Sequence, residues 1–258
     1  MATGDFEHQV NGLTNLGIDG TSTDPGQDEL SQFLKDGVID VTRRCIQAKP
    51  QEATNFQRES GTQNSNGFHP KGAKILSVLR EANADGDTDG STAWRNCRQV
   101  PAHMQSRVVD TDSLHFASIY NPVYTIDVNN TVFVYPKPDS TNDGYNVFYV
   151  NNVPTNETNS AALVYSHADI KYFPADKVYL VVIYAGIKSL EAKMAEFAID
   201  EEDTELVQAI TSNLTSLKQQ YEGAFASLGA KDKVPLIDIL DKSFIKAASS
   251  VPVPLFAI

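Results

Sequence analysis

The chain has 258 residues, enough for one large domain or two small ones with a substantial core. Hydrophobic residues make up 41% and charged residues 21%, the balance of a soluble globular protein. A net charge of -12 excludes a nucleic-acid clamp, because gripping phosphates takes clustered lysine and arginine.

Residues 1–23 are polar and glycine-rich and read as an N-terminal arm. Asp24-Pro25-Gly26-Gln27 then predicts a helix start, with Asp24 as cap, Pro25 in the first position and Gln27 completing a capping box. Leu30, Phe33, Leu34, Val38, Val41 and Cys45 share one face of that helix, and Pro50 ends it. Cys45 on this stripe is expected to be a buried structural thiol. With Cys97 it forms no Cys-x-x-Cys pair and suggests no disulfide framework.

Residues 50–73 are turn-rich and precede a short apolar run at Ile75–Leu79. Asn83–Thr92 is dense in aspartate and glycine and reads as a loop. Val100–Val109 fits no single period. From Val123 the pattern alternates. Val123–Val128, Thr131–Tyr135 and Tyr145–Val150 are predicted as three successive strands of an antiparallel meander, with a hairpin turn at Asn129-Asn130.

One long helix is expected from Phe173 to Ala198, with Pro174 near its first turn. Its first half, Val178–Ile187, is apolar nearly all round. Its second half carries Leu190, Met194 and Phe197 on one face, so the helix is built to be surrounded. Leu206, Ile210, Leu214, Leu217, Tyr221 and Phe225 mark a further helix ending near Gly229, and residues 232–249 suit another. The final stretch from Val251 to Ile258 is apolar, and two prolines forbid helix there. The expected fold class is α+β: a helical bundle from 24–49 and 165–249, a β-rich insert over 50–164 with an antiparallel meander, and extended terminal arms at 1–23 and 250–258.

Few motifs carry chemistry. Asp85, Asp87 and Asp89, with Gly90, match the first six positions of a calcium loop, but Asn96 stands where a bidentate glutamate is needed. They form a weak candidate metal site beside the simpler reading of a solvated acidic loop. Ser166, His167 and Asp169 hold the letters of a catalytic triad, yet triads assemble from separated segments and no Gly-x-Ser-x-Gly elbow occurs. No phosphate-binding glycine motif is present, no cofactor is expected, and the chain reads as a non-enzyme. The aromatic residues of the meander suit a core, or alternatively a carbohydrate or partner face. Val251, Val253, Leu255, Phe256 and Ile258 would be costly in water, so the tail either folds back on its own core or docks on a partner. The N-terminus has neither a basic region nor an apolar core, and Val178–Ile187 is about half a membrane span, so a soluble protein made in a cytoplasm is expected, with no membrane partner.

Three segments together resemble virion structural proteins of tailed bacteriophages, particularly marine and cyanobacterial phages. They are Asp28-Glu-Leu-Ser-Gln-Phe-Leu-Lys-Asp-Gly-Val-Ile-Asp-Val-Thr-Arg-Arg; Ser118-Ile-Tyr-Asn-Pro-Val-Tyr with Asn130-Thr-Val-Phe-Val-Tyr-Pro; and Phe173-Pro-Ala-Asp through Tyr184-Ala-Gly-Ile-Lys-Ser-Leu. The order of helix, β insert and long helices is similar to that of head-to-tail adaptor (connector) proteins below the portal, a likeness of fold. The resemblance implies a ring of this chain, of about twelve copies, placed in the virion after assembly in the host cytoplasm. Its implied partners are the portal protein, met by the tail at Val251–Ile258, and a tail or neck protein, met by the insert at Ile119–Val150. DNA would pass through an acidic bore without specific binding. The Asp85–Gly90 loop maps to nothing in that family pattern. Other virion positions (tail terminator, head-closure or baseplate subunit) and a calcium-dependent binding module remain the alternatives.

Overall fold

The computed structural model describes residues 4–22, 25–82, 94–138, 144–197 and 204–230. The calcium-loop aspartates, the tail from Val251 to Ile258 and the helix expected over 232–249 lie outside the described residues. The fold is α+β.

The N-terminal segment, expected as an arm, holds a helix, α1 (Phe6–Thr14). Asp5 caps it by accepting from the His8 amide at 2.9 Å, and Phe6 and Val10 are fully buried. Its first free amides are taken up by a distant loop: Phe6 N–H donates to the His167 carbonyl and Glu7 N–H to that of Tyr165. A nine-residue helix is marginal alone, and docking supplies its stability.

Helix α2 spans Gln27–Ala48 and begins later than the sequence suggested. Gly26, not Asp24, is the cap, and Asp24 lies outside the described residues. Glu29, not Gln27, reaches back to accept from the Gly26 amide at 3.0 Å. Leu30, Leu34, Val38, Val41 and Cys45 are all buried, as the stripe requires. Pro50 ends α2 and opens a 3₁₀ turn, Pro50–Phe56.

The β region differs most from expectation. Its strands are β1 (Gln57–Glu59), β2 (Ile75–Glu81), β3 (Trp94–Asn96), β4 (Arg98–Gln99), β5 (Val123–Ile126), β6 (Val132–Tyr135) and β7 (Tyr145–Val150). β5 and β6 form the expected hairpin, turning at Asp127–Asn130, where Asn130 takes φ +59°. β7 does not continue it, so there is no three-stranded meander. It leaves for an antiparallel sheet of order β1-β7-β2-β3, and β5–β6 complete a second sheet with β4, which lies parallel to β5. Among the described residues, Val100–Val109 holds a 3₁₀ turn and a short helix, α3 (Gln105–Val109).

A 3₁₀ turn, Ala175–Lys177, follows Pro174 and leads into α4 (Val178–Phe197). α4 is the centre of the bundle, with α1, α2 and α5 (Thr204–Ala230) against it. Leu180, Val181, Val182, Ile183, Ala185 and Leu190 are all buried. Small residues set the spacing: a Cβ at Gly37 would stand 3.0 Å from Tyr184 Cδ1, and one at Gly186 would stand 3.3 Å from Thr14 Cγ2.

Three apolar cores lie in series. The bundle core reaches the first sheet through Phe56 and Val150. β7 sends Tyr145, Val147 and Tyr149 to its other side, into a second core with Val132 and Val134. Val123 and Tyr135, on the opposite face of the hairpin, join Val100, Val108 and Ala117 in a third.

Candidate functional site

The stretch from Trp94 to Val128, which runs from the first sheet through the residues of the third core, is the strongest candidate. It starts with a ribbon that joins the two sheets. β3 runs antiparallel to β2, pairing Arg95 with Arg80 and Asn96 with Leu79. Cys97 is buried, and its amide donates to the Val78 carbonyl at 2.8 Å. One residue later the chain pairs with the other sheet: Arg98 N–H donates to the Pro122 carbonyl at 3.0 Å and Val100 N–H to that of Tyr124 at 2.9 Å. The far edge of the second sheet is closed. Asn66 bonds both backbone groups of Val134, and Phe68 exchanges a bond pair with Val132.

After the ribbon, α3 turns Val108 inward, and the Gln105 side-chain amide donates to the Tyr135 hydroxyl. The Ala117 amide donates to the Val108 carbonyl at 3.0 Å, tying down the loop that follows. What remains outside is unusual in kind. Six of the nine large apolar side chains exposed among the described residues fall between 94 and 128: Trp94, Val109, Leu114, Phe116, Tyr120 and Val128. Such clustering in one short span separates them from scattered surface apolars, which need no explanation. Tyr120 is 61% exposed, and the Arg95 guanidinium lies 5.4 Å from its ring centroid.

Charge distinguishes part of the same stretch of sequence. Residues 94–109 hold Arg95, Arg98, Arg107 and His103 and no carboxylate, within a chain of net charge -12. Asp110 and Asp112 follow in the next turn, where the Asp110 carboxylate accepts from the Asp112 amide. Exposed tryptophan, tyrosine and arginine are the residue types that dominate macromolecular interfaces. Among the described residues of this stretch, the one thiol is not activated. Cys97 is pushed up to about 12 by burial, with the Arg80 charge opposing only in part. Arg80 is itself fully buried, its guanidinium donating to the carbonyls of Pro136 and Glu81.

The triad letters are dispersed into structural roles. His167 Nδ1 accepts from the Val164 amide at 3.1 Å, and Asp169 accepts from the Glu157 amide at 2.8 Å. Among the described residues no cluster of three or more histidines, cysteines or carboxylates is placed to hold a metal ion. No helix among them is long and apolar enough to cross a membrane. Of the aromatic residues in and before the meander, Tyr124, Tyr135, Tyr145 and Tyr149 are buried, so the core reading holds for them, Phe133 and Phe148 are half-buried, and Tyr120 is exposed. Sequence reasoning passed over Trp94, Arg95 and Arg98. The available signal was a run without carboxylates around the chain's single tryptophan.

A groove of about 370 Å³ also opens between the end of α1 and the facing parts of α4 and α5, with Leu16, Leu190, Phe197 and Ile210 in its walls. No family model matches the chain, and no curated protein matches it.

Proposed function

We propose that the chain is a structural subunit of a tailed-phage virion, a head-to-tail adaptor that forms a ring below the portal. The observation that supports this reading is the placement of exposed apolar side chains, Val109, Leu114 and Phe116, in the segment bordering the third core, with the helical bundle built on the first. A two-ended scaffold suits a part that joins one assembly to another. The resemblance of segments within residues 28–195 to phage virion proteins suggests the particular role, with the portal met by Val251–Ile258 and a tail or neck protein met by the insert. In a ring the net charge of -12 has a use, since an acidic bore lets DNA slide without sticking.

The test is the native mass of the purified chain, alone and mixed with its candidate portal protein. A ring of defined copy number, formed alone or on the portal, is the expected result. A chain that stays monomeric and ignores the portal would overturn the adaptor assignment and favour another virion position.

A further inference from the structure

Resting on that ring reading, we infer that the cleft between α2 and the first sheet is where one subunit receives the α4–α5 corner of a second copy. The cleft has a volume of about 310 Å³. Ile39 and Ile46 of α2, Ala73 before β2 and Val150 at the end of β7 give it apolar walls. Arg43 and Lys74, both exposed, line the same cleft, so the two cations belong to one concave surface. None of its lining residues is a carboxylate. Neither cation has an ion-pair partner among the described residues. The carboxylates of α2 nearest to Arg43 in sequence are committed elsewhere: Asp36 accepts from Gln32 at 2.8 Å, and Asp40 accepts from Tyr221 at 2.7 Å and pairs with Arg44. An apolar cleft edged by unpaired cations fits an apolar side chain set among carboxylates.

The α4–α5 corner has that chemistry. Asp200-Glu201-Glu202-Asp203 is the longest run of carboxylates in the sequence, and Glu205 follows it. Next to Glu205, Leu206 at the start of α5 is 40% exposed. Adjacent carboxylates repel one another, and a cationic partner relieves that cost. The corner cannot reach the cleft of its own chain. Gly37 packs on Tyr184, and Lys177 lies 3.5 Å from Glu52, just past the end of α2, so α4 runs antiparallel to α2. Phe197 therefore lies about 20 Å beyond Tyr184, on the side away from Arg43. The connection over 198–203 is tied to Phe197 and Thr204, and can extend only about 10 Å before it must return. The occupant is thus a second copy. Cleft and corner are different patches, and their union is a heterologous contact, the kind that generates rings when the rotation closes.

Charge reversal with cross-rescue tests this. Arg43→Glu with Lys74→Glu makes the cleft acidic, and Glu202→Lys with Glu205→Lys makes the corner basic. Arg43, Lys74 and Glu205 are exposed, and a melting curve confirms that each variant folds. Arg43→Gln with Lys74→Gln weakens assembly in the same direction and serves if the reversed pair does not fold. Each variant alone is expected to need at least about tenfold higher concentration to assemble, as read by sedimentation velocity. An equimolar mixture of the two reversed variants restores assembly, because every junction in an alternating ring is again complementary. If either variant assembles like the parent, or if the mixture stays as dissociated as its components, the inference fails while the ring reading stands. A parent that never assembles, even with the portal, overturns both. If the cleft variant assembles normally but loses binding of a single-stranded DNA oligonucleotide that the parent retains, the cleft is a nucleic-acid contact and the inference is overturned.

Discussion

The Tyr221 hydroxyl donates to the Asp40 carboxylate at 2.7 Å, joining α5 to α2 across residues far apart in sequence. Arg44 completes the junction. Its guanidinium lies 2.9 Å from Asp40 and 2.7 Å from Glu222, and it stacks over the rings of Tyr221 and Phe225. Burial first, and then the hydrogen bond to Asp40 and its charge, push the Tyr221 phenol well above its ordinary range.

Tyr221→Phe removes one charge-assisted hydrogen bond and should cost about 1.5–3 kcal/mol in urea unfolding. The pH dependence has a definite sign. A phenol raised in the folded state contributes fully below the unfolded value near ~10, and that contribution is lost as pH climbs towards the folded one. Parent stability should therefore fall above pH ~10 more steeply than that of the variant. Parallel slopes would show that Tyr221 does not titrate this way.

Gly37 is a spacing residue. Its missing side chain leaves room for Tyr184 and Val181 of α4. Gly37→Leu should drive α2 off α4 and cost about 1–3 kcal/mol or more, read as a lower melting temperature. An unchanged melting temperature would show that the helices can separate freely there.

Leu190 is fully buried where α4 meets α1 and α5. Leu190→Ala should cost about 2–5 kcal/mol, and Leu190→Asp more, because it places an unpaired charge in the core. Near-parental melting of the aspartate variant would contradict the packing of α4.

The two thiols serve as built-in reporters. Burial pushes Cys45 up to about 11 and Cys97 up to about 12. Neither should react with a thiol reagent at pH ~8 in the folded protein, and both should react on unfolding. Rapid labelling of the native chain would show that the bundle or the ribbon opens.

Removing Val251–Ile258 should leave the helical signal and melting temperature of the remainder intact and abolish attachment to the portal. Normal portal binding by the shortened chain would refute the docking role of that tail.

Much of the bundle was legible because an apolar stripe at helical spacing is a local property. Leu30 to Cys45 on α2, and Ile210 to Tyr221 on α5, lie inside as their period demands. The β5–β6 hairpin was legible for the same reason, since a short turn joins two alternating runs. β7 misled because partner choice is not local. Tyr145–Val150 looks like the next strand of a meander, yet its partners β1 and β2 come from residues 57–81, and β1 is the polar Gln-Arg-Glu. α1 was missed because two buried residues, Phe6 and Val10, scarcely make a pattern in a segment containing Gly12. The contact between Arg95 and Tyr120 was missed because the two residues are separated in the chain, and only the fold brings Arg95 over the Tyr120 ring.

The central position of α4 dictates the order in which the chain can settle during synthesis. α1 and α2 leave the ribosome before α4, and the helix that shares a core with Val10, Leu34 and Val38 is not complete until Phe197 has been added. β1 and β2 likewise wait for β7, their shared partner. A nascent chain halted before residue 145 therefore carries two helices with bare apolar stripes and strands without their partner, and one halted before residue 197 still lacks the cover for those helices, the condition that recruits chaperones and invites aggregation. Closure of the bundle waits for α4.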